Sequence, residues 1–62
     1  MRLKELLKTL PENEFIAVGF EGEEVRYSGS AGRYSWYVKD AEVKEVIPPR
    51  NQYSARIIRL KK

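Results

Sequence analysis

The segment Phe15-Ile-Ala-Val-Gly-Phe20 constrains the fold most, because it is apolar at both odd and even positions. A strand with two apolar faces fits the centre of a sheet better than an edge. Gly19 would let a neighbouring segment approach closely. Glu21-Gly22-Glu23 predicts a turn, and Val25-Arg-Tyr-Ser28 alternates like a returning antiparallel strand. The sequence therefore predicts a β-hairpin within a small sheet.

The residues before this hairpin predict an amphipathic helix. Four leucines recur with the period of a helix and share one side of it: Leu3, Leu6, Leu7 and Leu10. Pro11 ends the pattern, because the residue before a proline is pushed out of the α region. The leucine side would either cover one face of the sheet or bind a groove on a partner, and we favour the first interpretation.

The second half of the chain predicts further strands. Residues 28–32 have the composition of a loop, whereas 33–40 fit either a helix or a strand, and β-propensity favours a strand or an irregular turn. Residues 41–47 predict a third strand, although their apolar positions also fit a helix, and Pro48-Pro49 would stop it. A last strand is expected from Tyr53 to Leu60. The prediction is α+β: one N-terminal helix on a small antiparallel sheet of about four strands.

Composition limits how such a fold is held together. The 62 residues fit a single domain, 1–62, near the lower size limit for folding alone. Cysteine and histidine are both absent, which removes disulfides and the commonest metal ligands and general base. We expect no metal and no cofactor. Stability would come from packing, and size alone leaves both a monomer and a homo-oligomer open.

Charge is separated along the chain rather than mixed. Residues 12–25 contain five glutamates and no basic residue, whereas no acid follows Glu45. The early glutamates would form a solvated hairpin tip, mimic the phosphates of a nucleic acid, or meet the basic end of a second copy. They are Glu12, Glu14, Glu21, Glu23 and Glu24. Their spacing matches no EF-hand loop.

A dense aromatic block is the first candidate site. Between Tyr27 and Tyr37 the chain combines tyrosines and its only tryptophan with serine, glycine and arginine, a mixture typical of binding surfaces. The candidate partner-binding residues are Arg33, Tyr34, Trp36 and Tyr37. In a chain this small, Tyr34 and Trp36 are equally good candidates for the core, and Tyr27 is expected to pack inside.

The basic C-terminus is the alternative site. Its positive charges would neutralise phosphates, and its tyrosine would stack on a base of a single strand. The candidate nucleic-acid-binding residues are Arg50, Tyr53, Arg56, Arg59, Lys61 and Lys62. The chain lacks the sequence signatures of the common nucleic-acid-binding folds, and the acidic segment would repel nucleic acid from part of the surface.

Two segments together resemble a known group of proteins. They are Arg2-Leu-Lys-Glu-Leu-Leu-Lys-Thr-Leu-Pro11, followed by an apolar strand, and Asp40-Ala-Glu-Val-Lys-Glu-Val-Ile-Pro48, followed by a closing strand. This pattern is similar to short uncharacterised proteins of phages and mobile elements of Firmicutes. The resemblance implies an accessory factor, of a kind that includes blockers of host defence systems. The aromatic block at 34–37 departs from the pattern.

These observations favour a small non-catalytic binding protein. The expected partner is a host protein, which the chain would occlude; a nucleic-acid or nucleotide binder is the alternative, and a structural homo-oligomer with the aromatic block as its self-interface is the third. The serines have no histidine to activate them, so we expect no enzyme. No segment approaches the roughly 20 apolar residues of a membrane span, and no signal-peptide pattern opens the chain, so a cytoplasmic location is expected.

Overall fold

One helix precedes four strands in the computed structural model, which describes all residues from Met1 to Lys62. A single 3-10 turn, Ala31–Arg33, follows the second strand. The regular elements are α1 Leu3–Thr9, β1 Phe15–Phe20, β2 Tyr27–Ser30, β3 Val43–Ile47 and β4 Arg56–Leu60. The structure contains no helix long and apolar enough to cross a lipid bilayer.

The four strands form one mixed sheet in the order β2-β1-β4-β3. The outer pairs, β1 with β2 and β3 with β4, are antiparallel, and the two central strands, β1 and β4, are parallel. The predicted α+β class, with one N-terminal helix on a four-stranded sheet, is confirmed. The prediction that the sheet is antiparallel throughout was wrong for the central pair.

The segment between β2 and β3, which we call the crossover, explains this parallel pair. It leaves the sheet where β1 begins and passes along one face to the other end, where Trp36 contacts Phe20. β3 therefore starts at the end where β1 finishes, with Val43 beside Leu60. The β3–β4 hairpin then turns the chain round, so that β4 runs in the direction of β1.

The hydrophobic core occupies the face of the sheet beneath α1 and the crossover. The register places Val18 beside Ile58 and Phe20 beside Leu60. Five side chains are fully buried: Leu3, Ile16, Val18, Ile58 and Leu60. The remaining leucines of α1 are partly buried against this cluster, so the helix covers the sheet as predicted. We call this side of the sheet the covered face.

Backbone hydrogen bonds attach α1 to the crossover. The N–H groups of Leu3 and Lys4, which have no acceptor within the helix, donate to the carbonyls of Ala41 and Lys39 at 2.9 Å each. The N–H of Val43 donates to the Met1 carbonyl at 2.8 Å. The chain start is thus held against β3, which leaves less of that edge open to another strand.

Three strand boundaries differ from the prediction. β2 lies at Tyr27–Ser30 rather than 25–28, and the loop predicted at 28–32 is therefore strand and 3-10 turn. Gly29 allows this strand with φ +156°, while the Tyr27 ring lies over it and its hydroxyl donates to the Ser30 carbonyl at 2.6 Å. Tyr27 is accordingly half-buried, in line with its expected inward packing.

The other two strands are shorter than predicted. β3 begins at Val43 because the residues before it bond with the chain start rather than within a strand. β4 begins at Arg56, since Asn51 organises a turn that contains Tyr53: its side-chain Oδ1 accepts from the Tyr53 N–H at 2.8 Å, and its carbonyl accepts from the Ser54 N–H at 3.2 Å.

Candidate functional site

The aromatic block lies in the part of the crossover that follows the 3-10 turn and forms neither helix nor strand. Its side chains alternate: Tyr34, Trp36 and Val38 are half-buried and pack against the core, whereas Arg33 and Tyr37 are exposed. Of the two periodicities in this segment, the strand spacing, in which successive side chains point to opposite sides, matches this alternating burial. The alternation divides the four candidate residues into an inner and an outer pair.

Tyr34 belongs to the inner pair and covers the core. Its ring meets the Tyr27 ring edge-on at a centroid distance of 4.8 Å, and its hydroxyl donates to the Val38 carbonyl at 2.7 Å. Burial raises the pKa of the Tyr34 hydroxyl to about 12. These contacts give Tyr34 a packing role.

Trp36 and Tyr37 continue an aromatic stack from the core to the surface. The Trp36 ring packs edge-on against Phe20 at 5.6 Å, and the Tyr37 ring packs edge-on against Trp36 at 6.3 Å. Tyr37 is 86% exposed despite this contact. An exposed ring is thus supported by a half-buried one, which limits the positions it can adopt.

These rings form one wall of a surface groove of about 380 Å³, which we call the aromatic groove. Its lining residues are Phe20, Glu23, Arg26, Trp36, Tyr37 and Lys62. The Glu23 carboxylate lies 2.7 Å from Lys62 Nζ and 4.0 Å from the Arg26 guanidinium. Lys62, and to a smaller extent Arg26, holds the pKa of Glu23 below its ordinary value. The groove therefore combines an aromatic wall with a charged wall of both signs.

Arg33 lies outside the aromatic groove. It borders a second depression at the free edge of β2, together with Glu12, Phe15 and the β2 backbone. Three residues separate Arg33 from Tyr37 in the sequence, and the two side chains line different depressions. The structure brings together Trp36 and Tyr37, and it does not add Arg33 to them.

The basic residues of the alternative site are largely paired with carboxylates. Arg56 meets Glu14 through two hydrogen bonds of 2.7 and 3.3 Å, which raise the pKa of the guanidinium. Three further pairs involve the C-terminal basic residues: Arg59–Glu45 at 3.6 Å, Lys61–Glu42 at 3.9 Å and Lys62–Glu23 at 2.7 Å. Arg50 and the 88% exposed Tyr53 stand apart, on the β3–β4 hairpin tip. The six residues therefore form no continuous patch.

The acidic segment is dispersed in the same way. Glu14 pairs with Arg56, Glu23 with Lys62, and Glu21 with Lys44, whose ammonium lowers the pKa of Glu21. The early acidic residues thus meet basic residues of the same chain. This removes three of the five glutamates from any row of free carboxylates that would imitate phosphates.

A further apolar surface was not among the predicted sites. On the side of the sheet opposite the core, which we call the uncovered face, β1 presents Phe15, Ala17 and Gly19 and β4 presents Ile57 and Arg59. Phe15 is 62% exposed. The sequence feature that indicates this surface is the apolar run Phe15–Phe20. A strand that is apolar on both faces needs a packing layer on each face, and the chain provides a layer on one face only.

Comparisons with known proteins were made for the whole chain. Neither a scan against protein-family models nor searches of curated proteins and of solved structures found a match.

Proposed function

We propose that this chain is a small non-catalytic binding protein that attaches to a partner protein through Trp36 and Tyr37. The observation that carries the proposal is the 86% exposure of Tyr37, whose ring rests on Trp36. Tyrosine and tryptophan offer a large contact area with few rotatable bonds, so they lose little entropy on binding. Such anchors dominate the binding energy of many interfaces.

The charged wall of the aromatic groove would orient the partner. Glu23 and Lys62 pair with each other at 2.7 Å, and Arg26 lies 4.0 Å from Glu23. Charges at the rim of an interface act mainly on the rate of association and on partner choice, rather than on affinity. The aromatic residues are therefore the anchors in this proposal, and the charges are accessory.

The resemblance noted in the sequence gives this binding a biological setting. We place the chain among phage-encoded accessory factors that occlude a host protein. Occlusion needs only a stable complex that blocks the partner's surface, which suits a chain whose proposed function rests on contact. Arg33 would contribute only where the partner also reaches the β2 edge.

Capture from a host lysate tests the proposal. Immobilised wild-type chain is compared with Tyr37→Ala and with Tyr53→Ala, a matched control because Tyr53 is equally exposed at 88% but lies on the hairpin tip. We expect wild type and Tyr53→Ala to retain the same partner, and Tyr37→Ala to retain at least about tenfold less, the loss typical of a hot spot. Equal retention by all three would contradict the proposed site.

Nucleic-acid binding remains the second candidate function, now restricted to the hairpin tip. The observation that favours it is an exposed Tyr53 close in sequence to Arg50, the one basic residue of the alternative site without an ion pair. Stacking and phosphate contact together would bind single strands, with an affinity that falls as salt rises. A labelled oligothymidine tests this by fluorescence anisotropy. Loss of binding in Tyr53→Ala, but not in Tyr37→Ala, is the expected result.

A further inference from the structure

The uncovered face has the composition of an interface. The register places Ser28, Ala17, Ile57 and Ile47 side by side across the four strands. The middle of the face is thus apolar apart from Arg59 of β4, which lies beside Gly19 and pairs with Glu45 of β3, while Ser28 and Ser30 mark the β2 edge. An apolar centre with a polar rim is the usual anatomy of protein–protein contacts, and arginine is enriched among their residues.

The solvent-accessible surface area of the chain agrees with a sheet face that has no packing layer over it. The chain exposes 4606 Å², about 400 Å² more than the size scaling of folded monomers gives for 7.3 kDa. One face of a sheet with four strands of about five residues measures about 19 by 17 Å, roughly 300 Å². An uncovered sheet face is therefore large enough to account for most of this excess.

The face is also complementary to itself. At one end Phe15 projects and is 62% exposed. Toward the other end lies a groove of about 350 Å³ whose lining includes Ala17, Gly19, Val25 and Ile57 together with the charged Glu23 and Arg59. The turn after β1 forms one side of this groove, because Val25 Cα and the Glu24 carbonyl lie directly over Gly19. A projection and a groove on one face allow two copies to fit reciprocally.

We infer that the uncovered face binds a second copy of this chain in a symmetric dimer. A two-fold axis lies between the two sheets, perpendicular to β1 and close to Ala17. It places Phe15 of each copy opposite Gly19 of the other, about 13 Å along the strand, where the groove opens. Ala17 meets its own symmetry mate, and its small side chain lets the sheets approach.

Charge does not oppose this pairing. Glu45 and Arg59 are the charged strand residues of the uncovered face, and they lie 3.6 Å apart as one acid and one base. Glu23, which also lines the groove, pairs with Lys62 at 2.7 Å. The charges of this face are therefore paired within the chain, although the chain carries a net charge of +3. Two faces with internally paired charges meet with little like-charge repulsion, which favours a second copy over a partner that would need a charged surface.

Sedimentation equilibrium of the full chain tests the dimer. The face is smaller than the roughly 800 Å² that each partner of a standard interface buries, so we expect a dimer that dissociates on dilution, on the order of micromolar. Phe15→Glu and Ile57→Lys should weaken the dimer at least about tenfold. The exposed-tyrosine controls Tyr37→Ser and Tyr53→Ser should leave it within about twofold. Circular dichroism verifies that each variant is folded.

Because the chain contains no cysteine, a single introduced cysteine allows an independent test of the dimer. Ala17→Cys lies beside the two-fold axis, and because packed sheets lie about 10 Å apart, beyond the reach of a disulfide, it should give a covalent dimer with a short bis-maleimide cross-linker, whereas Tyr53→Cys should not. A wild-type chain that stays monomeric at millimolar concentration would overturn the inference. So would a dimer that Tyr37→Ser dissociates and Phe15→Glu leaves intact, because the self-interface would then be the aromatic groove. The first failure leaves the proposed partner binding untouched, whereas the second would favour the homo-oligomer with the aromatic block as its self-interface over that proposal.

Discussion

The two faces of the central strands differ in what lies over them, although they are built from alternate residues of the same segments. On the covered face, Ile16 and Ile58 are fully buried beneath α1 and the crossover. On the uncovered face, Phe15 is 62% exposed and Ile57 half-buried. The comparison shows that an apolar side chain is suited to burial, but that it is buried only where another part of the chain packs over it. A chain of 62 residues has one helix and one crossover, enough for one face.

Adjacent isoleucines give the largest contrast between the faces. Ile58→Ala should lower the free energy of unfolding by about 3 kcal/mol, because it leaves a cavity in the core. Ile57→Ala should cost about 1 kcal/mol or less in the monomer, since its side chain has no covering layer. Urea denaturation at low protein concentration measures both values. Equal losses would mean that the faces are equally packed.

Gly19 sharpens the comparison, because it is buried on the otherwise uncovered face. A Cβ at this position would lie 2.9 Å from the Glu24 carbonyl oxygen and 3.2 Å from Val25 Cα, and these backbone atoms would have to move. Gly19→Ala should therefore destabilise the chain by about 2 kcal/mol. Gly22→Ala is a useful control, since space around that residue is open and only its φ of +75° is unfavourable. A stable Gly19→Ala variant would show that the turn is free to shift.

A substitution at Tyr34 tests how much the crossover contributes to stability where it packs on the covered face. Tyr34→Phe removes the hydrogen bond to the Val38 carbonyl and should cost about 1.5 kcal/mol at neutral pH. Because burial raises the pKa of Tyr34 from 10.0 to about 12, its stabilising effect is complete below pH 10 and is lost as the pH rises through 12. Denaturation midpoints measured from pH 8 to pH 12 should fall less steeply in the variant. Parallel curves for the two proteins would contradict this assignment.

Two ion pairs provide the smallest contrast. Arg56 and Glu14 lie at the margin of the covered face with side chains 26% and 23% exposed, whereas Arg59 and Glu45 on the uncovered face are 51% and 49% exposed. Double-mutant cycles should give a coupling of about 1 kcal/mol for the first pair and about 0.3 kcal/mol for the second. Thermal or urea unfolding of the single and double alanine variants measures both. A stronger Arg59–Glu45 coupling would indicate that this face is covered in solution.

Local patterns in the sequence were sufficient for much of the fold. The leucine spacing and Pro11 located α1, the apolar run located β1, and Pro48-Pro49 marked the end of β3. The alternation of Tyr34, Trp36 and Val38 also matched their half-buried positions. These features depend on periodicity and on backbone restrictions that act within a few residues, which is why they are legible in a single sequence.

Only part of the candidate site could be predicted from local patterns in the sequence. Trp36 and Tyr37 were named from composition, but their separation from Arg33 depends on the path of the crossover, and the two periodicities of this segment left that path undecided. The glutamates and the C-terminal basic residues are far apart in the sequence and pair only because β1 and β4 are neighbours. No local pattern reports such pairings. Phe15 was expected in a central strand, and its exposure depends on the absence of a second cover.

The sequence by itself determined where α1 and β1 lie and that the central strand β1 is apolar on both sides, because these properties reside in neighbouring residues. Tertiary structure alone decided that β4 runs parallel to β1, that the crossover covers one face, and that the charges of the two ends pair within the chain. Those outcomes depend on where a twelve-residue connection, 31–42, can reach once the hairpins have formed. The same path leaves Tyr37 exposed and the second face of the sheet without a cover.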